Sequence, residues 1–397
     1  MQAQMETIDA FGDPLAFKFH SGTRESAWPV AGATEQLYRI EARQLSGHQK
    51  EAVVTGGEGA SAWRVSSDEG GHLQGTDLAP FPLGFFNAGL QSDLFGRLSH
   101  HARSRGIALE SIGVRLENRY WLTGSFVAGT GEGHAEPSQF ELTLTSRASD
   151  DEIRALVKAA VDSSPAIALL RNPLQNTFAL YLNGRRRPLA EGPNSRAPDV
   201  IDPYLKYSAP PRPASGATAR PDLIRKGQRQ EPGASVVAPP ATDGRVVRVV
   251  KGEGRPAGSE GMFEVETWLE MPGASHFIFQ IDESSSDGAP QGLALLSAGI
   301  AFCYMTQLSR YIENMHLPIK RIRLVQFNPY RLTAESAGQV RGAAGPIDTH
   351  LFLDGEAPEE THARLLRIAA RTCYLHATAE ASLEPAVRLV HNGRPVA

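Results

Sequence analysis

The sequence predicts an α+β protein built from two copies of one domain. Three observations carry that prediction: short stretches of strict two-residue hydrophobic alternation, a long run that is apolar on every side, and an internal repeat at constant separation. Residues 79–99 (APFPLGFFNAGLQSDLFGRLS) align without a gap on residues 289–309 (APQGLALLSAGIAFCYMTQLS), an offset of 210. The same offset pairs Ile112 with Ile322, Asn118 with Asn328, Tyr120 with Tyr330 and Leu156 with Leu366. After a one-residue slip, an Asn-Gly pair at 183 and at 392 closes each copy.

Each copy opens with alternating stretches, QLYRIEARQL and SAWRVSS in the first, MFEVETWLE and HFIFQIDE in the second. A period of two marks half-buried strands, so each domain starts as a β-meander. From Leu293 to Leu308 the apolar residues, Leu295, Ile300, Phe302 and Met305 among them, are spread around the whole helical circumference. A helix apolar all round is a buried one. Strand character returns in SQFELTLTS of the first copy and in RIRLVQF and THLFLDG of the second. A last helix follows in each copy. Ser149 and Glu152 form a capping box in the first, and Pro358, Glu359 and Glu360 supply a first-turn proline and dipole-complementing acids in the second, whose helix is predicted to end near Cys373.

The 397 residues exceed one ordinary core and fit two domains of about 150 residues each. Ten of the 27 prolines fall between residues 195 and 260, which predicts a Pro-rich linker over 196–240. It divides a domain at 30–195 from one at 241–397. A net charge of −4 with 21% charged residues gives no pull towards nucleic acid or acidic membranes. The N-terminus lacks a basic-then-apolar leader, and no uninterrupted apolar run reaches membrane-span length, so a cytoplasmic location is the expectation.

Two cysteines in so long a chain are no secreted disulfide framework; they are either packing or chemistry. Cys303 lies in the buried run and Cys373 at the last helix end. By the 210 offset they face Asp93 and Ser163, so only the second copy carries thiols. A nucleophilic Cys303 needs a cation, hydrogen-bond donors or a helix N-terminus beside it, and Cys373 is the one candidate to resolve its sulfenic acid. His376 stands three residues past Cys373, on the same helical face if that helix continues, leaving open a metal-binding Cys, Cys, His group. Asp93 reads as a buried acid or as a side chain facing an interface.

Residues 287–305 (DGAPQGLALLSAGIAFCYM) and 370–376 (ARTCYLH) resemble the osmotically inducible protein C and organic hydroperoxide resistance (OsmC/Ohr) family. That family consists of α+β domains forming intertwined homodimers. Its members reduce organic hydroperoxides with one cysteine, which a second then traps as a disulfide. The resemblance implies Cys303 as attacking and Cys373 as resolving thiol, an organic peroxide as substrate, an external dithiol as reductant, and no cofactor or metal. It also implies that the two copies pair as an intramolecular pseudo-dimer. Where the family carries a glutamate, ten or eleven residues before the first cysteine, this chain has Leu293 and Gly292, and no arginine is assigned to the thiolate. Two other readings remain: an enzyme of another class using Cys303 as nucleophile or metal ligand in the inter-domain cleft, and a non-catalytic binder of hydrophobic small molecules.

Overall fold

A computed structural model describes residues 6–19, 35–56, 62–189, 192–207, 211, 213, 223–229, 245–284, 286–334 and 339–396. The first half runs through α1 (Ile8–Phe11), β1 (Ala16–Phe19), β2 (Glu35–Gln44), β3 (Lys50–Gly56), β4 (Ala62–Ser67), α2 (Pro82–Ser104), β5 (Leu109–Thr123), β6 (Glu132–Ala135), β7 (Gln139–Ser146), α3 (Asp150–Asp162), α4 (Pro165–Arg171), β8 (Thr177–Leu182) and β9 (Arg185–Arg187). After α5 (Pro203–Lys206) the order recurs: β10 (Ile224–Arg229), β11 (Arg248–Pro256), β12 (Met262–Leu269), β13 (Ser275–Asp282), α6 (Gly292–Asn314), β14 (Ile319–Ala334), β15 (Val340–Ala344), β16 (Asp348–Gly355), α7 (Glu359–Thr372), α8 (Tyr374–Glu380), β17 (Ala386–His391) and β18 (Arg394–Val396).

Two nine-stranded sheets are formed among the described residues. Sheet A has the order β1-β4-β3-β2-β14-β16-β8-β9 with β15 on β14; sheet B has β10-β13-β12-β11-β5-β7-β17-β18 with β6 on β5. Replacing each strand by its counterpart in the other half converts one order into the other. Strands also change sides: β14 and β16 of the second half lie between β2 and β8 of the first, with Ala42 opposite Leu324 and Ala179 opposite His350. Both halves therefore share each sheet's hydrogen-bond ladder.

Helix α6 packs on sheet A, α2 on sheet B, and the two pack on each other. They approach closely because glycines stand at the crossing. A Cβ at Gly89 would lie 2.5 Å from the Gly292 carbonyl oxygen, and one at Gly299, 210 residues on, 2.8 Å from the Phe86 nitrogen. The phenyl of Phe85 fills the seam, edge-on to Phe279 and Phe302. By length and composition α6 could cross a bilayer, but its apolar window is wholly buried inside the protein, as in a core helix. The Asn-Gly pairs sit where predicted. Asn183 and Gly184, like Asn392 and Gly393, all have positive φ and close the β8–β9 and β17–β18 hairpins with the twist that type I′ turns supply.

Several expectations need correction. Strand β1 lies ahead of residue 30 and β10 lies inside the predicted linker, because each adds a strand to the open edge of a meander. Much of that linker, residues 214–222 and 230–240, lies outside the described residues. Its start is structured: Asp202 forms an ion pair with the buried Arg323, and Val200 packs on the apolar outer face of sheet A beside Tyr181 and Phe327. The Ser149–Glu152 capping box forms as predicted, whereas Pro358 is the N-cap of α7 and not its first turn. The end of α7 falls where predicted, so it does not run on to His376. It ends at Cys373, whose extended backbone (ψ 114°) starts a new helix.

Candidate functional site

The break at Cys373 decides the geometry. Cys373 takes the N-cap position of α8, and its thiol lies against Cys303 on α6. Both cysteines are free and buried. Burial above all, and then the hydrogen bond and charge interaction with Cys303, push the Cys373 thiol well above its ordinary pKa, so it stays protonated at neutral pH. The structure thus brings together the two residues that sequence reasoning singled out.

Polar groups from the first half complete the surroundings. Lys50, at the start of β3, is fully buried, donates to the His48 carbonyl at 2.6 Å and lies 3.9 Å from Glu69. Burial pulls the Lys50 ammonium down from its ordinary value, against the opposing charges of Glu69, Asp68, Cys303 and Glu313. Glu69 accepts from the Thr306 hydroxyl of α6 at 2.5 Å, and burial raises its carboxyl against the pull of Lys50. The neighbouring Asp68 pins the loop that carries Glu69, accepting from the N–H groups of Glu69, Thr76 and Leu78. Above the cysteines, Tyr374 stacks on Tyr120 with ring centroids 5.5 Å apart. Burial pushes the Tyr120 phenol well up, with the cysteines' charges adding to it.

A cavity of about 80 Å³ opens onto Cys303, walled by Glu69, His72, Phe81, Arg248, Arg310 and Tyr374 among others. A larger one, about 1020 Å³, lies on the outer face of sheet A between Leu37, Phe327, Pro346 and Arg196. It contains neither cysteine. Reactive groups, not volume, make the smaller cavity the candidate site.

The first half carries a matching arrangement without sulfur. Asp93 accepts from the Ser164 hydroxyl and from the Ala166 N–H. Ser164 holds the N-cap position of α4 as Cys373 holds that of α8, so the residue facing Cys373 in the repeat is Ser164 and not Ser163. The chain slips by one residue between the central helix and this cap, a slip the terminal Asn-Gly pairs already showed. Ser163 instead meets His101 at 2.8 Å. Glu283 is to Asp93 what Glu69 is to Cys303, accepting from Ser92 and the Gly292 N–H. Burial, and then the Asp93 charge, push Glu283 up to about 7.

Sequence reasoning missed Lys50 and Glu69. A signal for the latter existed, since Asp-Glu follows the last meander strand in both halves, at 68–69 and 282–283. Leu293, where the resemblance places an acid, is buried among apolar residues. His376 does not join the thiols through its ring. It packs between Tyr304 and Phe178 with both ring nitrogens unpartnered, and burial holds it down at about 3. Among the described residues no three ligand-type side chains converge on a metal position.

No protein-family model matches the chain, and no curated protein does. Among solved structures it is similar to an OsmC-like hydroperoxide resistance protein from Jannaschia sp. CCS1, at 20% identity over 36% of this chain and 91% of that one, with a TM-score of 0.23.

Proposed function

We propose that the chain is a thiol-dependent peroxidase for organic hydroperoxides, in which two tandem OsmC-like domains pair as an intramolecular pseudo-dimer and only one of two equivalent sites keeps its cysteines. The interconverting strand orders of the sheets support the pairing. A single observation carries the activity: two buried free thiols lie against each other, and a cavity opens onto one of them, Cys303.

The steps balance as follows. The Cys303 thiolate attacks the outer peroxide oxygen; an S–O bond forms, the O–O bond breaks, and the alcohol leaves with a proton. Lys50 supplies the buried positive charge that the thiolate faces, and Glu69, anchored by Thr306, holds that charge in place. Cys373 then attacks the Cys303 sulfenic acid, forming the disulfide and releasing water. An external dithiol exchanges with the disulfide and restores both thiols.

The test is a thiol titration of the folded protein. One equivalent of an organic hydroperoxide consumes both thiols, and a dithiol returns them. Two thiols that persist until the protein is unfolded refute the proposal.

A further inference from the structure

The mouth of the Cys303 cavity is more positive than peroxide reduction requires. Arg248, at the start of β11, lines it half-buried and has neither hydrogen bond nor ion pair among the described residues. Beside it Arg310 donates to the Gln307 side-chain oxygen at 3.1 Å and lies over the face of Phe126. Of the acids nearby, Glu69 is taken up by Lys50 and Thr306, and Glu313 feels the charge of Arg310, which leaves Arg248 as the guanidinium without an acid. The two guanidinium groups act on what surrounds them: together with burial they hold His72, on the same wall, down at about 4. A guanidinium that lines a cavity mouth without a carboxylate partner is free to form charge-assisted hydrogen bonds with an entering anion.

We propose that Arg248, with Arg310 beside it, is an anion-selecting site, and that the substrate is a small organic hydroperoxide carrying a carboxylate. This rests on the peroxidase reading. About 80 Å³ admits only a few heavy atoms. The peroxide group therefore enters towards Cys303 while the carboxylate stays at the rim in a charge-assisted fork with Arg248. The oxidation is the one written above, and the product is the corresponding hydroxy acid.

Two measurements keep the failure of each idea apart. In Cys373→Ser protein, alkylation of Cys303 by anionic iodoacetate is compared with alkylation by neutral iodoacetamide, which needs no peroxidase activity. Arg248→Gln is expected to lower the iodoacetate-to-iodoacetamide rate ratio about tenfold, Arg248→Glu further, and Arg248→Lys to retain most of it. In the otherwise unaltered chain, kcat/KM for a carboxylated hydroperoxide should exceed that for a neutral one of similar size, and Arg248→Gln should erase the difference. An alkylation ratio unchanged in folded Arg248→Gln and Arg310→Gln proteins overturns the anion site. A maintained ratio effect with no oxidation of Cys303 by either hydroperoxide leaves the anion site standing and overturns the peroxide substrate.

Discussion

Asp93 accepts a hydrogen bond from Ser164 at the place in the first half that Cys303 and Cys373 occupy in the second. An acid and a hydroxyl thus fill one site where the other holds two thiols. If the two places are equivalent, Asp93→Cys combined with Ser164→Cys creates a second redox pair. Mild oxidation of the folded double variant should remove all its thiols, against one pair in the parent protein. Introduced thiols that stay free in folded protein would argue against the equivalence.

Glu283 gives the pH dependence a definite sign. Its carboxyl is pushed from an ordinary 4.5 up to about 7, by burial first and the Asp93 charge second. The protonated form is therefore favoured in the native state, so the stability it contributes is full below about 4.5 and is lost as pH rises through about 7. Glu283→Gln should match the parent near pH 4.5 and exceed it at pH 8 by about 2 kcal/mol in denaturant unfolding. A constant difference across that range would contradict the assignment.

His376 works in the opposite direction. With its pKa held at about 3 by burial, the neutral ring is the native form, and the associated stability is present above about 6.5 and lost as pH falls towards 3. His376→Phe keeps an aromatic ring between Tyr304 and Phe178 and removes two unpartnered nitrogens. Stability should rise by about 1–3 kcal/mol at neutral pH and by more in acid, with thiol reactivity intact. A variant that is less stable at pH 5 than the parent would contradict this.

Lys50 cannot be removed alone without leaving Glu69 buried and unpaired, a loss of about 3–5 kcal/mol. The informative variant is Lys50→Met with Glu69→Gln. Rapid-mixing measurement of thiol loss should show the first attack on hydroperoxide slowed about tenfold or more, since no buried cation then faces the sulfur. An unchanged rate would remove Lys50 from the chemistry.

The sequence made the central helices and most meander strands legible because both depend on local periodicity, as in the apolar run around Cys303 and the alternation of MFEVETWLE. Strand β3 was opaque for a physical reason. It opens on Lys50 and Glu51, charged residues that give no core signal, yet both are buried, Glu51 between Arg43 and Arg64. Strand β10 was hidden by its Pro-rich flanks. The thiol pair could be named because cysteines are rare here, whereas Glu69 reaches the Cys303 cavity from the other half of the chain through Thr306, and no spacing within one copy encodes a contact between halves. The one-residue slip that aligns Ser164 with Cys373 shows only once both are seen as helix caps.

The central claim is that Cys303 attacks the peroxide in the folded protein and that Cys373 resolves the product. Mass spectrometry of Cys373→Ser after one equivalent of organic hydroperoxide tests both parts at once. The account predicts a single oxygen added at Cys303, advancing to sulfinic acid in excess peroxide because no thiol within the chain can intercept it. An unmodified Cys303 in protein shown to be folded would contradict it.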